Sequence, residues 1–184
     1  MQLDPKSSAL VLIDLQKGVL AMPVVPHTAA QVYERSMQLA KRFHAAAATV
    51  VWVRVSFAAN LADALALPVD RPTNYAALPA GWDELPEPPP ASDLVITKRH
   101  WGAFHGTELD LQLRRRGIRR IVLGGIATNV GVESTARSAA EHGYELVIAE
   151  DLCSCVSAET HAFSFKHVFP RIARVTTSGN ITLG

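Results

Sequence analysis

The chain has no long apolar run and no excess of either charge. Its apolar stretches, at residues 9–13, 50–55 and 146–149, are far shorter than the ~20 residues that a membrane-crossing helix needs. Lys and Arg number 18 against 17 Asp and Glu, a formal net charge of +1, which gives no global attraction to nucleic acid or to an anionic membrane. Cysteine is scarce. Cys153 and Cys155 are separated by one residue, and a loop that short is too strained for a stabilising disulfide. The opening MQLDPKSS lacks the basic and apolar regions of a secretory signal, so the expected compartment is the cytoplasm. Small molecules are the expected partners, with no nucleic acid and no membrane.

What is present is ample material for a core. With 184 residues, 48% of them hydrophobic, the chain is expected to form one domain spanning residues 1–184. Residues 9–13 are apolar without alternation, the pattern of a parallel strand covered on both faces, and Asp14 stands at its C-terminal end. Gln16 shares the parity of Asp14, and Gly18, Pro23 and Pro26 mark a loop. Val32, Met37, Leu39, Ala40 and Phe43 then recur on one helical face, ahead of a strand at residues 50–55.

Residues 56–93 hold seven prolines, which limits regular structure to a short helix at 61–67. This segment is either a surface loop packed by Tyr75 and Trp82 or a wall of a binding site. A third strand at 94–97 ends at Lys98, and Thr107 is placed to cap a helix over 108–116 that Gly117 stops. Strands at 121–123, 146–149 and 172–175 alternate with helices at 132–142 and 158–168. The pattern predicts a three-layer α/β/α, Rossmann-like fold with a six-stranded, mainly parallel sheet.

In such sheets ligands sit beyond the carboxyl ends of the strands. That position gathers Asp14, Lys98 and the loop GGIATNVG at residues 124–131, whose helix start presents backbone N–H groups suited to negative charge. By themselves an acid and a lysine at strand ends fit a buried ion pair as well as catalysis. Trp101 and Phe104 fit core or pocket wall. The G-x-G-x-x-G spacing of a dinucleotide site is absent and no cofactor is expected; His100, His105, His161 and His167 lack a tight metal-ligand spacing, so no metal is expected either. The basic run Arg114, Arg115, Arg116, Arg119 and Arg120 has no interleaved aromatics and reads as a solvated helix end.

Three segments, LVLIDLQKGVL, ITKRHWGAFHGTELDLQLRRRGI and GIATNVGVESTARSAAEHGYELVIAEDLCS, in this order resemble the isochorismatase-like hydrolases of the cysteine hydrolase superfamily. The resemblance spans nearly the whole chain. It implies an aspartate in proton transfer at Asp14, a lysine partner at Lys98, and a nucleophilic cysteine at the position where this chain has Gly131. Glycine has no side chain with which to attack, so a covalent intermediate at that position is excluded. Members with glycine there include the isochorismatases proper, which hydrolyse a vinyl ether, a reaction that needs only an acid, an electrostatically stabilised cation and water. The isochorismatases proper carry tyrosine and histidine where this chain has Ala127 and Asn129.

The resemblance further implies a non-proline cis peptide at Ile126-Ala127, a homo-oligomer, and a site lined by Gln16, Trp101, Phe104, Ile126, Ala127, Thr128, Asn129 and Val130. Burial raises the pKa of Asp14 and Lys98 lowers it. The expectation is a metal-free hydrolase acting on a small enol ether, carbonyl or amide. The alternative is a catalytically silent small-molecule-binding protein on the same scaffold.

Overall fold

The computed structural model describes residues 1–74 and 77–184, so the expected packing by Tyr75 lies outside the described residues. After a two-residue strand, β1 (Gln2–Leu3), the chain enters β2 (Ser8–Ile13), buried at every position. Ala9, Val11 and Ile13 face one apolar cluster while Leu10 and Leu12 face another. A strand with no polar side has no solvent side, and β2 lies at the centre of the sheet accordingly.

The other strands are β3 (Thr49–Val55), β4 (Leu94–Lys98), β5 (Arg120–Ile126), β6 (Glu145–Ser154) and β7 (Arg174–Thr176). They join β2 in a six-stranded sheet of order β4-β3-β2-β5-β6-β7, parallel at every pairing. The chain builds outward from β2 on one side, then crosses to β5 and builds outward on the other. The reversal lies between β2 and β5, which is where an open α/β sheet leaves a crevice.

Helix α1 (Lys17–Leu20) is a single turn; α2 (Ala29–Ala45) begins in a reciprocal cap between Thr28 and Gln31. Val32, Leu39, Ala40 and Phe43 of α2 cover the Leu10 and Leu12 face. Leu109 and Leu113 of α3 (Leu109–Arg115), with Ala136 and Ala139 of α4 (Glu133–Glu141), cover the Val11 face. Helix α5 (Ala158–Phe163) and a wide turn over Ser164–Val168 complete that layer. A second, two-stranded parallel ladder pairs β1 with β8 (Thr182–Leu183).

Several boundaries differ from the sequence expectation. Residues 61–67 form turns rather than a helix: Asn60 Oδ1 accepts from the Ala62 N–H at 3.1 Å, Asp63 Oδ1 accepts from the Ala58 N–H at 2.7 Å, and Leu61 has a φ of 57°. Such side-chain bonds compete with a helical nucleus that seven residues are too few to offset. Strand β6 runs ten residues, its register against β5 shifting between Leu123 and Gly125. Helix α3 starts one residue later than expected, yet Thr107 Oγ1 still accepts from the Leu109 N–H at 3.1 Å, and Gly117, with φ 69°, ends the helix.

Candidate functional site

The ends of β2, β4 and β5 converge above the crevice. Asp14 follows β2 with a φ of 55°, its N–H donating to Val53 O at 2.8 Å. Beside it, β5 passes so near that a Cβ on Gly125 would stand 2.2 Å from Ile13 O, and Gly125 has a φ of 138°. Glycine is required there for both reasons. The Ile126-Ala127 peptide is cis. The chain then makes a wide helical turn, Thr128–Val132, in which the Val132 N–H donates back to Ala127 O at 3.2 Å.

Lys98 Nζ lies 2.8 Å from Asp14 Oδ2, with side-chain exposures of only 3% and 8%, and Lys98 Nζ also donates to His100 O at 3.0 Å. Asp14 Oδ1 is buried without a hydrogen-bond partner. Burial pushes the Asp14 carboxyl above the ordinary carboxylate range, and the opposing pull of the Lys98 ammonium is the smaller effect. Gly131 closes the triangle. A Cβ added to it would lie 3.0 Å from Asp14 Oδ2, so the position that the resemblance assigns to a cysteine is directly over the acid–lysine pair.

These residues face a cleft of about 230 Å³. Of the residues expected at the site, Asp14, Lys98, Trp101, Ile126, Ala127, Val130 and Gly131 line it. Phe57 and Leu65 do so too, which makes part of the 56–93 segment a wall of the cleft, while Trp82 stacks on Phe57 at 6.0 Å and packs the remainder against α1. Sequence reasoning missed both wall residues because an irregular segment carries no periodicity to point them inward.

Four expectations are corrected. The Gln16 amide is spent on the backbone, with Nε2 donating to Val55 O at 3.0 Å and Oε1 accepting from the Val55 N–H at 2.8 Å, so it prolongs the pairing of β2 with β3 below the cleft. Phe104 is core: its ring stacks on His142 at 5.0 Å and packs on Tyr144 at 5.8 Å. Thr128 is buried and Asn129 half-buried, both away from the cleft lining. Thr128 instead opens a chain of contacts, Oγ1 to His161 Nδ1 at 2.9 Å, His161 Nε2 to Glu150 Oε1 at 3.0 Å, and Glu150 to His27 Nε2 at 3.1 Å. Burial holds the His161 imidazole below its ordinary range, with Glu150 opposing and His27 assisting.

Neither cysteine lines the cleft. Cys153 is buried with Sγ 3.3 Å from Ala149 O, and burial pushes its thiol far up; Cys155 Sγ contacts Ser157 O at 3.0 Å. Neither is exposed as a nucleophile must be. Among the described residues there is no group of three or more His, Cys, Asp or Glu able to hold a metal ion.

The model of the Isochorismatase domain matches residues 8–180. An uncharacterized isochorismatase family protein of Escherichia coli O157:H7, YecD, is 54% identical over 177 residues, covering 95% of this chain and 94% of that protein. A solved isochorismatase family protein from Burkholderia thailandensis superposes with a TM-score of 0.93 at 41% identity, over 98% of this chain and 95% of that one. Over a shorter stretch of 76 residues, 40% of this chain and 31% of the relative, the ureidoacrylate amidohydrolase RutB of Acinetobacter baylyi is 47% identical.

Proposed function

The chain belongs to the isochorismatase family, a family of hydrolases, and from that premise we propose that it hydrolyses a small enol-ether or carbonyl metabolite by acid–base chemistry, without a covalent intermediate. The observation that carries the reading is the buried Asp14–Lys98 pair on the cleft, with Gly131 leaving no side chain above the carboxyl group. Asp14 is the acid of the reaction, and burial, which raises its pKa, favours the protonated form that gives up the proton. Delivered to an enol-ether carbon, that proton leaves an oxocarbenium ion, which the Asp14 carboxylate then stabilises. Water adds to the cation, the hemiketal splits into carbonyl and alcohol, and the proton released by the water returns to Asp14. Lys98 keeps the carboxyl in place throughout. For a carbonyl or amide substrate the same acid protonates the oxygen under attack; one relative is named an amidohydrolase.

Purified protein screened against vinyl ethers, amides and lactams should show turnover that falls by roughly 100-fold or more in Asp14→Asn and in Lys98→Ala. Turnover indifferent to both substitutions overturns this mechanism. The absence of a nucleophile at Gly131 also favours a second reading, a protein that binds a metabolite and leaves it unchanged. Gly131→Cys separates the two readings of the scaffold: amidase activity gained with the thiol shows that Asp14 and Lys98 are poised for chemistry.

A further inference from the structure

We propose that the cleft selects an uncharged small molecule, an apolar body bearing one carbonyl-type or ether oxygen for Asp14 and no carboxylate of its own. The inference rests on the hydrolase reading for the identity of the site and narrows its substrate class. At about 230 Å³ the cleft falls below the roughly 300–1,000 Å³ of pockets that hold drug-sized ligands. Its walls are apolar for the most part, with Met22, Val55, Phe57, Leu65, Ile126 and Val130 among them.

Charge decides the matter. Lys98 and Arg99 are the lining lysine and arginine among the described residues, and both are already engaged. Lys98 is held between Asp14 Oδ2 and His100 O, while Arg99 pairs with Asp63 through Nε and reaches Lys98 O through Nη1 at 3.4 Å. The remaining titratable ring on the wall, His100, lies edge-on to His105 at 4.9 Å. A carboxylate entering the cleft would shed its hydration and meet no disengaged lysine or arginine in return. An uncharged carbonyl or amide avoids that cost and can share a hydrogen bond with the Asp14 carboxyl group, which lines the cleft. Trp101, 60% exposed, supplies an aromatic face at the rim for an apolar body.

The test uses two benzamides equal in heavy atoms, 3-isopropylbenzamide and 3-carboxybenzamide. They are titrated into protein carrying 13C-methyl methionine. Met22 lines the cleft and is one of three methionines, so its signal, assigned with Met22→Leu, reports binding at this place. The expected result is a Met22 shift with a Kd about tenfold or more lower for the uncharged probe. Asp63→Asn, which frees Arg99 and keeps an acceptor for the Ala58 N–H, should narrow that gap by about threefold. Equal or tighter binding of the carboxylate, or no Met22 shift with either probe, overturns the proposal. Binding is read without turnover, so its outcome stands apart from the turnover screen that tests the hydrolase reading.

Discussion

At Asp14 two demands fall on one residue: a left-handed backbone, φ 55°, and a carboxyl group buried against Lys98. Removing one member of this buried, hydrogen-bonded pair leaves the other without its partner, so Asp14→Asn or Lys98→Met alone should cost about 3 kcal/mol, while the double variant should return to within about 1 kcal/mol of the parent. Urea denaturation of the four proteins measures this. Simple additivity of the two losses would show that the groups do not depend on each other. His161 gives a prediction in pH. Because its folded pKa lies below the ordinary 6.5, the unfolded chain takes up the proton first; stability is full above about pH 6.5 and declines as pH falls toward the folded value. His161→Gln should flatten the decline in urea midpoint between about pH 7 and 5. Asp14, with its pKa raised, works in the opposite sense, its contribution present in acid and lost as pH rises through its folded value. Asp14 and Lys98 were legible in the sequence because each stands at the end of an apolar run, and the end of a parallel strand is a position. Gln16 and Phe104 were not, since parity gives a side chain its side of the strand but not the group it meets.

Among the elements, β5 is the most constrained. Ala at Gly125 would force its Cβ into Ile13 O and Cβ, at 2.2 and 2.7 Å, in a backbone region that disfavours side chains. Gly125→Ala should therefore destabilise by about 3 kcal/mol or more, seen as a thermal midpoint several degrees lower. A near-parental midpoint would mean that β2 and β5 can part without cost. The glycine pair was read in the sequence as the start of a loop, whereas both glycines lie inside β5, and the cause, the passage of one backbone against another, was not visible. The strands were readable as apolar runs because a parallel strand is buried on both faces, and the α2 stripe because burial of one helical face imposes a period of 3.6. Residues 61–67 carry apolar residues enough for a helix, and it is the Asn60 and Asp63 side chains that divert them into turns. The contacts joining Thr128, His161, Glu150 and His27 run between residues separated by 11 to 123 positions, beyond the range of any local pattern.

In the molecule as a whole, the strands fix the floor of the cleft and an exposed segment supplies part of its wall. Residues 59–74 are mostly exposed and outside the sheet, so brief proteolysis should cut there first and leave the sheet folded. The nicked protein should keep its far-ultraviolet circular dichroism and lose affinity for cleft ligands, because Leu65 goes with the cut segment. Cleavage first within β2 or β5, by mass spectrometry of the fragments, would contradict this division. The floor itself offers an internal gauge. The Asp14 N–H is bonded to Val53 O at the C-terminal end of β2, the central strand of a sheet buried on both faces, so it should trade its hydrogen for deuterium only when β2 and β3 part. One amide, on the residue proposed to move the substrate's proton, would then report in hours of exchange how rarely these two strands come apart.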